Sequence, residues 1–171
     1  MLYRPNDRRS TLSDSRKHMA TSDGIENGDW DGVKELAFEL LGEVLSAVDR
    51  SHEIDLCRNR LLAYLDTLEV KYGALPSILA TRADYVDDYA TQEGLLHLAY
   101  DAAVSLGDIE NLSHIAHSLA QLYISELVNV ADTRTWLDRL DDHLLWFRDP
   151  LYLADAKRFR EQLKELDLSS R

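Results

Sequence analysis

Within the stretch GDIENLSHIAHSLAQLY, residues 107 to 123, Glu110, His114 and His117 stand at i, i+4 and i+7 and share one face of a helix. Imidazoles beside a carboxylate are the groups that hold zinc, and a stable site takes at least three of them. On a straight helix, i to i+7 spans about 10 Å, too far for all three to meet one ion. A metal site would need His114 and His117 together with a residue from another helix, for which the preceding segment offers His97 and Asp101. The chain carries no HExxH, no paired CxxC and no repeated ExxH, so neither a metal nor another cofactor is expected. It also lacks a glycine-rich phosphate loop and a GxSxG elbow, and Asp84, Asp87 and Asp88, like Asp138, Asp141 and Asp142, read as solvated helix faces. No catalytic residue is assigned. The same periodicity places His114, His117, Gln121 and Ser125 opposite Leu112, Ala116, Leu119 and Tyr123, hence toward solvent unless a ligand covers them.

The elements that carry these residues are helices. A chain of 171 residues, 45% hydrophobic and 29% charged, is that of one globular domain, and seven Gly with three Pro leave little punctuation for a many-turned β fold. The expected class is all-α. The net charge of −12 repels phosphate backbones and anionic lipid, so direct nucleic-acid binding by the folded part is not expected and a neutral or basic protein partner is. Cys57, the single cysteine, falls on an apolar helix side and suits a reducing cytoplasm. No apolar run approaches ~18 residues, so no membrane span is expected either. Residues 1–20 carry Arg4, Arg8, Arg9, Arg16 and Lys17 against Asp7 and Asp14, a balance of +3 that leaves −15 on the remainder. The reading is a flexible basic segment over residues 1–28 and a helical domain over 29–168.

Seven helical segments follow from the spacing. The first, about 31 to 49, has an apolar stripe through Val33, Leu36, Ala37, Leu40, Leu41, Val44 and Val48. Ser51 opens the second, which Gly73 ends; Pro76 opens a third that runs to about Tyr89; Thr91, Asp108, Asp132 and the pair Asp149-Pro150 open the others. Short connections make successive helices antiparallel, giving three hairpins and a leftover helix. That last helix has a narrow seam, Tyr152, Ala156, Phe159, Leu163 and Leu166, suited to capping the open end of the third hairpin.

The first helices of the three hairpins carry Leu41-Gly42, Leu79-Ala80 and Leu119-Ala120, a large residue before a small one, 38 and then 40 positions apart. With Leu106-Gly107-Asp108 closing one helix and opening the next, this pattern resembles tetratricopeptide repeats over about residues 33–148, with the family's usual glycine at Gly42 and its usual tyrosine at Tyr123. The resemblance implies a short right-handed superhelix of hairpins whose first helices line a peptide-binding groove; a plain antiparallel helical bundle is the structural alternative. Carried onto this chain, the groove positions are Glu39, Glu43, Ser46 and Ala47 in the first hairpin and Ser77, Thr81, Asp84 and Tyr85 in the second. In the third they are His117, Gln121, Ile124 and Ser125, with His114 one turn earlier. The function implied is a protein-protein interaction module: an adaptor, chaperone or regulatory subunit rather than an enzyme. Two alternatives stand beside it, a helical-bundle metal protein or enzyme using His97, Asp101, His114 and His117, and a structural protein that forms a homodimer through its terminal helix.

Overall fold

The computed structural model describes residues 19–46 and 51–169, apart from the side chains of Ser46 and residues 167–169. The fold is all-α. Its helices are α1 (Asn27–Ser46), α2 (Ser51–Tyr72), α3 (Pro76–Asp84), α4 (Tyr89–Leu106), α5 (Ile109–Ser125), α6 (Val130–Leu144) and α7 (Pro150–Ser169). Residues 1–18 of the basic segment, and Ala47 of the expected groove, lie outside the described residues.

The helix boundaries follow from their caps. Gly107, at φ +64°, closes α4 in the left-handed region, and the Asp108 carboxylate accepts from Asn111 N at the start of α5. Two expected caps shift by one turn. Asp88, not Thr91, caps α4, accepting from Thr91 N at 2.8 Å and from Thr91 Oγ1. Asn129, not Asp132, caps α6. With the first shift α4 begins at Tyr89, the expected end of α3, and α3 ends five residues earlier, at Asp84.

Pro76 begins α3 as expected, but the preceding Leu75 offers no side-chain cap. The cap comes from 54 residues away: Asp23 accepts from Ser77 N at 2.7 Å and from Ser77 Oγ at 3.0 Å. Ser22 donates to Asp108, and Ile25 is fully buried against Val33, Leu61 and their neighbours. Residues 19–28 therefore belong to the packed body, and the boundary expected at 28 lies earlier.

Consecutive helices run antiparallel. Arg60 of α2 pairs with Glu39 of α1 at 2.6 Å, while Lys71, near the end of α2, pairs with Asp29, near the start of α1. Helices two apart run parallel where they touch: His114 and His117 of α5 meet Tyr152 and Asp155 of α7, both 38 residues on. α5 packs between α4 and α6 and also touches α3 and α7. The larger core cluster gathers α3 to α7 around Ile115, Leu119, Leu137, Leu140 and Phe159; a smaller one joins α1 and α2 through Val33, Leu40, Leu61 and Leu65, with Ile78 of α3 reaching into it.

The small anchor residues divide. Ala80 and Ala120 are buried at helix contacts, whereas Gly42 is exposed and a Cβ there would meet nothing within 4 Å. The close approach of α1 to α2 is made ten residues earlier, where a Cβ on Gly32 would stand 2.5 Å from the Tyr64 hydroxyl.

Candidate partner-binding surface

The groove positions expected from the sequence fall into three groups. Gln121 and Ser125 are exposed on α5, Thr81 is half-buried on α3, and Glu39 is exposed but engaged with Arg60. Glu43 is half-buried and engaged as well, and the side chain of Ser46 lies outside the described residues. Ser77 is buried, its hydroxyl used by Asp23 and Asn111, so it is part of a helix junction and not of a groove. Ile124 is buried too.

The histidines do not face solvent. α7 lies over them: His114 Nδ1 is 2.8 Å from the Tyr152 hydroxyl, and His117 Nε2 is 3.0 Å from Asp155 Oδ2. The His117 ring stacks on Tyr152 with centroids 4.8 Å apart and touches Phe159. Burial, with His117 beside it, holds the His114 pKa below its ordinary value and keeps the ring neutral. What covers this polar face is thus the chain's own last helix. His97 turns elsewhere, toward Tyr123 at 3.2 Å and edge-on to Trp136, so the four residues of the metal alternative are not brought together. Among the described residues no three His, Cys, Asp or Glu side chains stand close enough to hold an ion.

Asp84 and Tyr85 mark where the structure opens. Asp84 ends α3 and shares a polar recess of about 310 Å³ with Tyr89, Ser118, Gln121 and Glu126. Its surface is open to water, yet the surrounding protein leaves its charge poorly solvated and pushes its pKa up to about 6. Water on the open side screens part of that effect. Among the described residues no cation pairs with it: the nearby Arg58 is taken by Asp55 and by Asp87 at 2.7 Å, and Glu126 accepts from the Tyr89 hydroxyl at 2.5 Å.

Tyr85 floors a second recess, of about 400 Å³, whose wall is α1. This recess exists because α3 is short, 9 residues against 20 in α1 and 17 in α5. The register through α2 shows where α3 stops. Arg60 pairs with Glu39 of α1, while Arg58, two residues earlier on α2, pairs with Asp87, beyond the end of α3. The last two turns of α1 therefore extend past α3, and among the described residues no helix other than α2 lies beside them. There Phe38 is 73% exposed, Leu41 50%, Val44 50% and Leu45 78%. The expected stripe assigned Leu41 and Val44 to the core and passed over Phe38 and Leu45. The signal was in the sequence: AFELLGEVL is apolar over more of the helix circumference than one neighbour can cover.

Comparisons of the chain with protein-family models, with curated proteins and with solved structures find no match.

Proposed function

We propose that the protein is an interaction module that holds a segment of another protein along the uncovered part of α1, between Phe38 and Leu45. The observation that supports this is the contiguous apolar surface left where α3 falls two turns short. Scattered exposed apolar residues are ordinary on a protein surface, but Phe38, Leu41 and Val44 lining one recess, with Leu45 next to them on the helix, form the kind of contiguous patch that contact sites have. Tyr85 also lines a neighbouring recess with Asp55, Asp87 and Asp88, which extends the surface onto α2 and the end of α3, so part of the groove expected from the repeat resemblance, Tyr85, remains in this reading. The adaptor, chaperone and regulatory roles share this surface chemistry.

The experiment is site-specific photo-crosslinking in cells that express the protein. A photoreactive side chain replaces Phe38 in one variant and Val70, an apolar residue 90% exposed on α2, in the other. The Phe38 position is expected to give a discrete crosslinked species that Val70 does not. Equal labelling from both positions, or none from either, removes the reading. A product of twice the chain's mass from Phe38 would make the surface a homodimer interface.

A further inference from the structure

The shape and charge of the α1 recess specify the segment that fits it, on the premise that the surface is an interaction site as proposed above. The space is bounded by a helix, not a strand edge, so the backbone groups of α1 are satisfied internally and offer nothing to an added strand. Phe38, Leu41 and Leu45 stand at i, i+3 and i+7, the row into which a crossing or parallel helix sets its own apolar residues. The uncovered part of α1, from Phe38 to Leu45, is about two turns, on the order of 10 Å. Both neighbouring helices two apart in the chain, α5 and α7, run parallel and in contact, so a helix at this place completes a row that α3 leaves short.

Charge selects among helices. Three carboxylates, Asp84, Asp87 and Asp88, lie within five residues at the end of α3, and Arg58 is the cation that pairs among them, with Asp87. Glu126 lies across the polar recess from Asp84. Lys34, at the other end of the apolar recess, is paired with Asp31 at 2.9 Å. A second copy of this chain would bring the same carboxylates and another net charge of −12 to the surface, and α1 itself carries Glu35, Glu39 and Glu43. Like charges brought together in this way disfavour a twofold contact.

We infer that the occupant is a basic amphipathic helix of two to three turns from another protein, its apolar side on Phe38, Leu41 and Leu45 and its lysines or arginines toward Asp55, Asp87 and Asp88, which share a recess with Tyr85.

The test uses the full chain and three synthetic 14-residue peptides: a helix with a leucine seam and Lys or Arg elsewhere, the same peptide with Glu at every basic position, and the basic peptide with its seam scrambled. Binding is read by fluorescence anisotropy at two salt concentrations. The basic seamed peptide is expected to bind at least tenfold tighter than either control. Leu41→Glu should weaken it at least tenfold, and Asp55→Asn with Asp87→Asn should weaken it several-fold and flatten the salt dependence. If Leu41→Glu fails to fold, Phe38→Glu, at a more exposed position, takes its place. Basic and acidic seamed peptides binding alike, both through Leu41, would overturn the basic partner while leaving the interaction surface standing. Equal binding to wild type and Leu41→Glu would show unspecific attraction to an acidic protein and overturn the inference. So would binding of none of the peptides, in which case crosslinking from Phe38 still decides the broader reading. Concentration-dependent self-association abolished by Leu41→Glu would replace the basic helix by a second copy.

Discussion

Two titrating side chains pull stability in opposite directions with pH. Asp84 has its folded pKa pushed up to about 6 from an unfolded 3.8, so the folded state holds this proton more tightly than the unfolded chain does. The resulting destabilisation grows as pH rises through that window and is complete above it. Asp84→Asn is therefore expected to melt at a higher temperature than wild type at pH 7.5, and the advantage should disappear near pH 4. His114 is shifted down, so below 6.5 the unfolded chain takes up the proton first and stability is lost as pH falls toward the folded value. His143, also lowered by burial, adds to the loss. Thermal melts across pH 4 to 8 check both: His114→Gln should flatten the acid side and Asp84→Asn the region between 4 and 6. Gly32 tests packing rather than charge. Gly32→Ala gains about 1 kcal/mol of helix propensity but drives a methyl into Tyr64, whose hydroxyl donates to the Asp29 carbonyl at 3.1 Å. Overpacking costs typically 1–3 kcal/mol, and the hydrogen bond about 1 more, so a net loss of roughly 1–3 kcal/mol is expected by urea denaturation.

Among the helices, α7 and α3 have the most to reveal. α7 buries Ala156, Phe159 and Leu163 and supplies the partners of His114 and His117. Ending the chain at Phe147 should leave a helical but aggregating domain, less stable by several kcal/mol, since it uncovers large apolar side chains and strands two polar ones. A truncated protein that stays monomeric with unchanged denaturation would show that α7 is not a cap. α3, nine residues long, cannot hold its own first turn without help, because its N-cap position is Leu75. Asp23→Ala removes the long-range cap and should cost about 1–2 kcal/mol, measured in the same way. The result also tells whether residues 19–26 are structural, for a flexible leader would lose nothing.

For the molecule as a whole, net charge and geometry set different properties. Arg58, Lys71, Arg82 and Arg160 each hold two carboxylates, but these pairs have an exposed partner and each is worth little, while the net charge of −12 works against the compact state everywhere. Raising ionic strength from low to physiological is therefore expected to raise the melting temperature, and calorimetry at 10 and 150 mM salt checks it; a fall would mean that the pairs outweigh the repulsion. No helix among the described residues is long and apolar enough to cross a membrane. The exposed apolar residues of α1 are concentrated where one short helix interrupts a series of longer ones.

The class and most of the helices are determined by the sequence itself. Periodicity, Gly107 and Asp108 are local signals, and local backbone chemistry answers them directly. The buried side of α5, Leu112, Ala116, Leu119 and Tyr123, is read the same way, because a helix fixes the phase of each residue relative to the others. Phase does not say what lies over each face. Only the tertiary structure decides that α7 covers His114 and His117, since their partners Tyr152 and Asp155 are 38 residues away and polar groups can be buried wherever such partners converge. It also decides that Gly32 rather than Gly42 makes the close contact, through a tyrosine on another helix. It likewise decides that α3 stops at Asp84, well before the Tyr89 expected from the sequence, and that among the described residues the apolar side of the last turns of α1 has no helix beside it other than α2.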